Sequence, residues 1–478
     1  MARIEDDPRI PEGMSMMGAT EAVDAEPIDA ETAELAVDLT AAPTAAAAEV
    51  PPELLAQSLG QYLRGWLLRI RSGDSGVLPV VLGIVVVAIA FQIANSTFLS
   101  PQNLVNLFRQ STIYMLLAMA EIFALLLGEI DLSVGLVMAL GAVVVAELVQ
   151  PPPASNCVVS VSNTCPGGPG FPWWLAILAA VLICAGVGAI QGTLVARFKM
   201  PSFIVTLGTL LVLEGVCIIV LGGSLVGIGN SRFTNEVVLY NLFYGQFDPV
   251  VSWILLAVVG AVAAGAVWFR DAHRRRSGLV APPASLTALK IVVAAAAGVV
   301  VVAICNVNRS HSSTVIDGLP YIIPIVLVVL FAWTMLLQRT RFGRYVYAIG
   351  GNPEAARRAG VSLPNIRTWG FVLAALTAGI AGVLFASWQV SLTTNIIKDA
   401  NSYVLLAVAA AVIGGTSLFG GRGRTLHGVL GGLVIGGIYN GLYLIGVQEQ
   451  WIDVVVAVVL LAAGTIDVLS RRGVGQRA

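Results

Sequence analysis

Residues 338–370 read QRTRFGRYVYAIGGNPEAARRAGVSLPNIRTWG. Arg339, Arg341, Arg344, Arg357, Arg358 and Arg367 all stand in this stretch, and strongly apolar runs flank it on both sides. Guanidinium groups are costly in hydrocarbon, so the stretch lies in water on one face of a membrane and its flanks cross the bilayer. Inside it the residue order predicts one short helix. Asn352 is a favourable N-cap, Pro353 suits the first helical position, Glu354 complements the positive helix end, and Gly360 can close the helix in a left-handed conformation. On charge alone, a basic loop that only fixes topology accounts for the arginines.

The rest of the chain agrees with a membrane setting. Of 478 residues 57% are hydrophobic and 12% charged, whereas a soluble domain carries about a quarter charged residues. The fold class expected is all-α, a polytopic integral membrane protein with about twelve transmembrane helices, the first near 77–93 and the last near 451–469. The basic residues gather in alternate segments. Arg197, Arg270 to Arg276, the six arginines above, Arg422, Arg424 and Arg471 fall on one side, and Arg109, Arg232, Arg309 and Lys398 on the other. The positive-inside rule then places both termini and residues 338–370 in the cytoplasm.

Residues 1–57 hold 13 of the 28 Asp and Glu residues and no sustained apolar periodicity, which predicts a disordered acidic tail. Residues 58–76 mix apolar and basic side chains as an interfacial amphipathic segment on an anionic lipid surface does. The apolar membrane domain runs over 77–470, and 471–478 form a short cytoplasmic tail. Cys184, Cys217 and Cys305 fall in apolar spans and read as small hydrophobes. Cys157 and Cys165 share one outside loop and can pair in an oxidising compartment. The three lysines, Lys199, Lys290 and Lys398, stand in no GK[ST] context, so the chain lacks a phosphate-binding loop and any ATP is bound by a partner. No metal cluster or nucleophile motif is present, the protein is not expected to be an enzyme, and the basic runs give no case for nucleic acid.

Between the second and third spans, LLLGEIDLSVG (125–135) puts Glu129, Asp131 and Ser133 among apolar residues. Such carboxylates line a wet cavity, pair with a partner, mark a helix break next to Gly128 and Gly135, or cap a tight turn at the interface. Gln191, Thr206, Thr209 and Asn440, with Trp388, Gln389 and Tyr439, are further polar or aromatic groups that suit a hydrated path; each alone is more often an interhelical hydrogen bond or interfacial anchor. Gly428, Gly432 and Gly436 recur every four residues and allow backbone contact with a neighbour, in this chain or a second copy.

The wording of two segments goes further. GRYVYAIGGNPEAARRAG (343–360) resembles the cytoplasmic coupling helix of the permease subunits of ribose and xylose type ABC sugar importers, with Gly343, Arg344, Gly351, Asn352, Pro353, Glu354, Ala355, Arg357 and Gly360 on the motif. GEIDLSVG resembles the hallmark of the same family, and PSFIVTLGTL (201–210) and AVIGGTSLFGGRG (411–423) are similar to its recurring blocks. In AVIGGTSLFGGRG, Gly414, Leu418 and Gly421 echo Gly128, Leu132 and Gly135, as a weak internal duplication does. The extra spans around RDAHRRRSGL (270–279) resemble the longer, xylose-type members. Leu405 and Leu406, and Glu214, depart from residues common in relatives, which weakens any transfer of xylose itself.

The resemblance implies a permease in a bacterial inner membrane that passes a monosaccharide, xylose or a similar pentose. It also implies an extracytoplasmic sugar-binding protein, a separate ABC ATPase subunit docked on the coupling helix, and a second permease copy. Three other readings stand beside it: a permease of the same family for another small molecule, a proton-coupled secondary transporter titrating Glu129 and Asp131, and a membrane receptor or scaffold.

Overall fold

The computed structural model describes residues 60, 64, 77–152, 167–223, 225–228, 234–279, 281–310 and 315–475. The acidic tail, nearly all of the interfacial segment and the Cys157/Cys165 pair lie outside the described residues. The long helices in chain order are α1 (Leu78–Ala94), α2 (Pro101–Leu126), α3 (Val134–Val149), α4 (Trp173–Ala196) and α5 (Ser202–Leu221). A short α6 (Thr234–Tyr244) precedes the hairpin of α7 (Pro249–Arg276) and α8 (Ala284–Cys305), and then α9 (Ile322–Arg339). Two short helices follow, α10 (Arg341–Gly351) and α11 (Pro353–Arg358), before α12 (Leu363–Gln389), α13 (Thr394–Asp399), α14 (Ser402–Ile413), α15 (Thr425–Leu444) and α16 (Glu449–Gly475). The described strands are two-residue pieces, Val226–Gly227 pairing antiparallel with Ser391–Leu392.

Each of the twelve apolar runs falls on a helix, and among the described residues eight segments are long and apolar enough to cross a membrane. α1 and α3 are shorter apolar helices, and α15 is diluted by glycine. α2 starts at Pro101, about ten residues before its apolar run, because Ser100 caps it and Pro101 occupies the first turn: the Ser100 hydroxyl accepts from the Asn103 N–H at 3.3 Å.

The bundle is organised around α2 and α12. The apolar stretch of α2 is 89% buried and that of α12 78%, against 6% for α7 and 11% for α8, so the last two present their apolar side chains to lipid. The glycine repeat of α15 is intrachain packing. A Cβ on Gly428, Gly432 or Gly436 would overlap Met119, Met115 or Ser111 of α2, and one on Gly441 would overlap the Phe91 ring of α1. Close approach without side chains maximises van der Waals contact where no hydrophobic effect separates helix from lipid.

The basic segments assort onto one end of this bundle. The Thr368 hydroxyl donates to the Gly192 carbonyl at 3.1 Å, and the Gly421 N–H to the Leu126 carbonyl at 3.0 Å, so the neighbourhoods of Arg197, Arg367 and Arg422 share that end. Arg309, Asn95 and the Val226/Leu392 ladder lie at the other, where Asn95 donates to the Leu444 carbonyl at 3.1 Å.

Candidate coupling site and the buried polar groups

Residues 338–370 hold two helices rather than the one expected. The Thr340 hydroxyl accepts from the Gly343 N–H at 3.3 Å and starts α10, whose buried side, Gly343, Val346 and Ile349, faces the bundle while Arg344 is exposed. A Cβ on Gly343 would overlap the Leu337 carbonyl, and one on Gly350 the Leu126 carbonyl and the Gly421 backbone. These glycines let α10 lie directly on the ends of α9 and α2. The Tyr347 hydroxyl fixes the remaining side by donating to the Gly423 carbonyl at 2.8 Å.

At Asn352 the chain turns out of α10 and into α11. The Asn352 side-chain oxygen accepts from the Ala355 N–H at 3.0 Å with Pro353 in the first turn. The other end closes as expected: Gly360 has φ +80°, its N–H donates to the Arg357 carbonyl at 3.0 Å, and the Val361 N–H donates to the Ala356 carbonyl at 3.1 Å. That pair of bonds satisfies the orphan carbonyls of a helix end and needs a left-handed residue. Ala356 packs inward, whereas Glu354, Ala355 and Arg357 are exposed and Gly351 has open space around its Cα. Glu354 bonds Arg357 at 2.9 Å and Arg358 at 3.2 Å, and those hydrogen bonds hold its carboxyl below the ordinary range. Beside α10 an open cleft of about 550 Å³ is lined by Arg344, Tyr347, Arg422 and Arg424. This end of the molecule thus carries a single stiff, exposed turn of helix on a seat that has no slack.

The GEIDLSVG segment sits immediately above that seat. The turn that closes α2 has Gly128 at φ +77°, with the Gly128 and Glu129 N–H groups returning to the Leu125 and Ala124 carbonyls at 2.9 and 3.1 Å. Gly135 belongs to α3, where it meets the Ala400 backbone. Glu129 pairs with Arg367 of α12 at 3.5 Å. Asp131 is buried and accepts from the Ser133 N–H at 2.9 Å and the Ser133 hydroxyl at 2.6 Å, and the Gln191 amide donates to the Ser133 hydroxyl at 2.6 Å. Glu121, fully buried five residues before the end of α2, accepts from the Asp131 N–H at 3.2 Å. The segment is therefore both a helix break and a buried polar knot. Gly420 of AVIGGTSLFGGRG packs on the Gly128 backbone.

The other polar residues do not join this knot. Thr206 and Thr209 donate to carbonyls one turn back in their own helix, at 2.9 and 2.8 Å. Asn440 lies near the opposite end of α2, accepting from Asn103 at 2.8 Å and donating to Gln110 at 3.2 Å. Glu214 accepts from Asn401 at 3.1 Å. Glu121, Asn103 and Gln110 were not legible from any motif; a lone carboxylate in the apolar run before Leu127 is the signal that marks Glu121.

The described residues form a bundle of many helices of membrane-spanning length, with an exposed, capped helix at one end and a broken span behind it. The family described as branched-chain amino acid transport system / permease component matches residues 103–464, and the chain belongs to it. The xylose transport system permease protein XylH of Escherichia coli strain K12 is 30% identical over 405 residues, covering 84% of this chain and 94% of that protein. XylH of Haemophilus influenzae is 29% identical over 411 residues, 85% of this chain and 100% of that protein. The ribose import permease protein RbsC of Bacillus subtilis strain 168 is 30% identical over 387 residues, 81% and 91% of the two chains. No solved structure matches the chain.

Proposed function

We propose that this chain is the membrane-spanning subunit of an ATP-binding-cassette importer in a bacterial inner membrane, passing a monosaccharide with xylose or a similar pentose preferred. The observation that carries the reading is α11, capped at both ends, exposed, and seated through Gly343 and Gly350 on α9 and α2. A separate ATPase subunit docks there, with the arginines of the adjoining cleft facing acidic groups of that partner. An extracytoplasmic binding protein delivers the sugar at the opposite end, and a second permease copy completes the complex. Both termini lie in the cytoplasm, in keeping with the basic residues at the α11 end. The names of the relatives support a sugar as the cargo; the preference for a pentose rests on resemblance to the xylose-type members.

The buried Glu121 and Asp131 favour one rival, transport driven by protons. One experiment separates the two. The purified chain in liposomes is expected neither to hydrolyse ATP nor to accumulate labelled xylose under an imposed proton gradient, and to do both only with an ATPase subunit and a binding protein. Gradient-driven uptake by the chain alone overturns the importer reading.

A further inference from the structure

α2 is enclosed over residues 111–126, every one buried, yet its outer half is not: Asn106 is exposed and Phe108, Arg109 and Gln110 are half-buried. Gln102, Asn106, Arg109 and Gln110 fall at i, i+4, i+7 and i+8 and so share one face of the helix. A polar face carrying an arginine is costly against lipid, so this face is turned to water or to polar partners. Arg109 donates one N–H to the Tyr244 carbonyl at 3.2 Å, and its Nε has no hydrogen-bond partner. The Tyr244 hydroxyl in turn donates to the Trp388 carbonyl at 2.8 Å, which ties the polar face to the outer end of α12.

A continuous row of rings crosses the bundle at this level. Trp388 and Phe385 lie 6.1 Å apart, Phe385 and Tyr403 5.6 Å, Tyr403 and Tyr114 5.7 Å, and Tyr114 and Tyr439 5.6 Å. Most of these rings are core, but Trp388 and Tyr403 are only partly buried. Tyr114 lies one turn from Gln110 on α2, and the Arg109–Tyr244–Trp388 bonds join the same helix to the other end of the row. Rings with an apolar face beside amide and guanidinium donors are the chemistry that holds a polyhydroxylated ring: its C–H face stacks on the aromatic surface and its hydroxyls take the hydrogen bonds.

We propose that Asn106, Arg109 and Gln110 of α2, with Trp388 and Tyr403, form a monosaccharide-binding vestibule in the outer half of the protomer. The proposal rests on the importer reading and names where the sugar is held after it leaves the binding protein. The apolar ring surfaces select for sugars with an unbroken C–H face, and the α2 side chains select the hydroxyl pattern.

The test uses the full complex of permease, ATPase and binding protein in proteoliposomes, with a photoreactive derivative of xylose and a panel of labelled pentoses and hexoses. Label competed by excess xylose is expected in peptides that carry Gln110, Trp388 or Tyr403. Trp388→Leu and Gln110→Leu should each change the uptake ratio between two sugars by about tenfold, the size of one lost stacking or hydrogen-bond contact. Trp388→Phe should retain most of the wild-type ratio, and Tyr403→Phe serves where a larger change prevents folding. A purely structural role for these side chains lowers the amount or rate of transport for all sugars alike and leaves the ratio unchanged. Unchanged ratios, or competed label elsewhere in the spans, overturn the vestibule while leaving the importer reading standing. Absence of any sugar uptake by the wild-type complex overturns the importer reading itself.

Discussion

At the residue scale the clearest lever is Gly360. Its positive φ is what the closing bonds of α11 require, and nothing lies within 4 Å of where a Cβ would stand, so a substitution there tests backbone conformation without a clash. Gly360→Val should cost about 1–2 kcal/mol locally, leave membrane insertion intact, and reduce co-purification with the ATPase. Glu354→Arg should do the same by removing both ion pairs and placing a positive charge at the positive helix end. Because Arg357 and Arg358 hold the Glu354 carboxyl below its ordinary value, its contribution is present above that value and lost only as pH falls through the lowered one. Co-purification should accordingly be flat from about pH 8 to about pH 5 and decline below. Gly350→Ala makes the opposite kind of change: the added methyl meets the Leu126 carbonyl, so it should uncouple sugar-stimulated ATP hydrolysis without removing α11. Wild-type transport by all three variants would show that α11 is a bystander. The caps of α11 were legible because capping is local: Asn352, Pro353 and Gly360 each act within one turn of themselves. Glu121 was not, since what makes it notable is its distance from solvent and its contact with Asp131 ten residues on, and neither is written in a short window.

At the element scale the glycine repeat of α15 gives a sharp contrast. Gly432→Val inserts a branched side chain between α15 and the Met115 backbone of α2, and overpacking of this kind costs about 1–3 kcal/mol. Gly186→Ala in α4, where nothing lies within 4 Å, should be neutral or stabilising by about 0.5–1 kcal/mol. Thermal unfolding of the two variants in detergent measures both; equal midpoints would mean that α15 does not rest on α2 as described. The repeat itself announced a close approach, but which helix it approaches is a tertiary fact that no spacing along one helix encodes. The same limit explains α10. Its sequence, RFGRYVYAIGG, carries glycines and arginines that read as loop, and it is helical because Gly343 and Gly350 let it lie against α9 and α2. Boundaries failed for a related reason at α2, where Asn103, Asn106, Arg109 and Gln110 hide a helix start from hydropathy although Ser100 and Pro101 mark it.

At the scale of the whole molecule the two faces do different work, and each was readable to a different depth. The arginine-rich face follows from charge and motif; the proposed vestibule at the opposite face rests on exposure along a single helix, which only packing reveals. Cys157 and Cys165 are expected to form a disulfide at that outer face, and non-reduced peptide mass spectrometry of protein from native membranes showing both thiols free would contradict it. α2 is one of the helices that reach from one face to the other. Its 26 residues contain no glycine and no proline after Pro101, so the helix, about 39 Å long, lacks the two residues that most often kink one, although Ser111 and Thr112 return their hydroxyls to carbonyls one turn back. On the proposed function, a displacement that the seat of α11 imposes at Leu126 would travel along this helix and reach Gln110 and Asn106 as a shift or turn of a rod, and sugar release from the proposed vestibule would then follow the stroke of the ATPase.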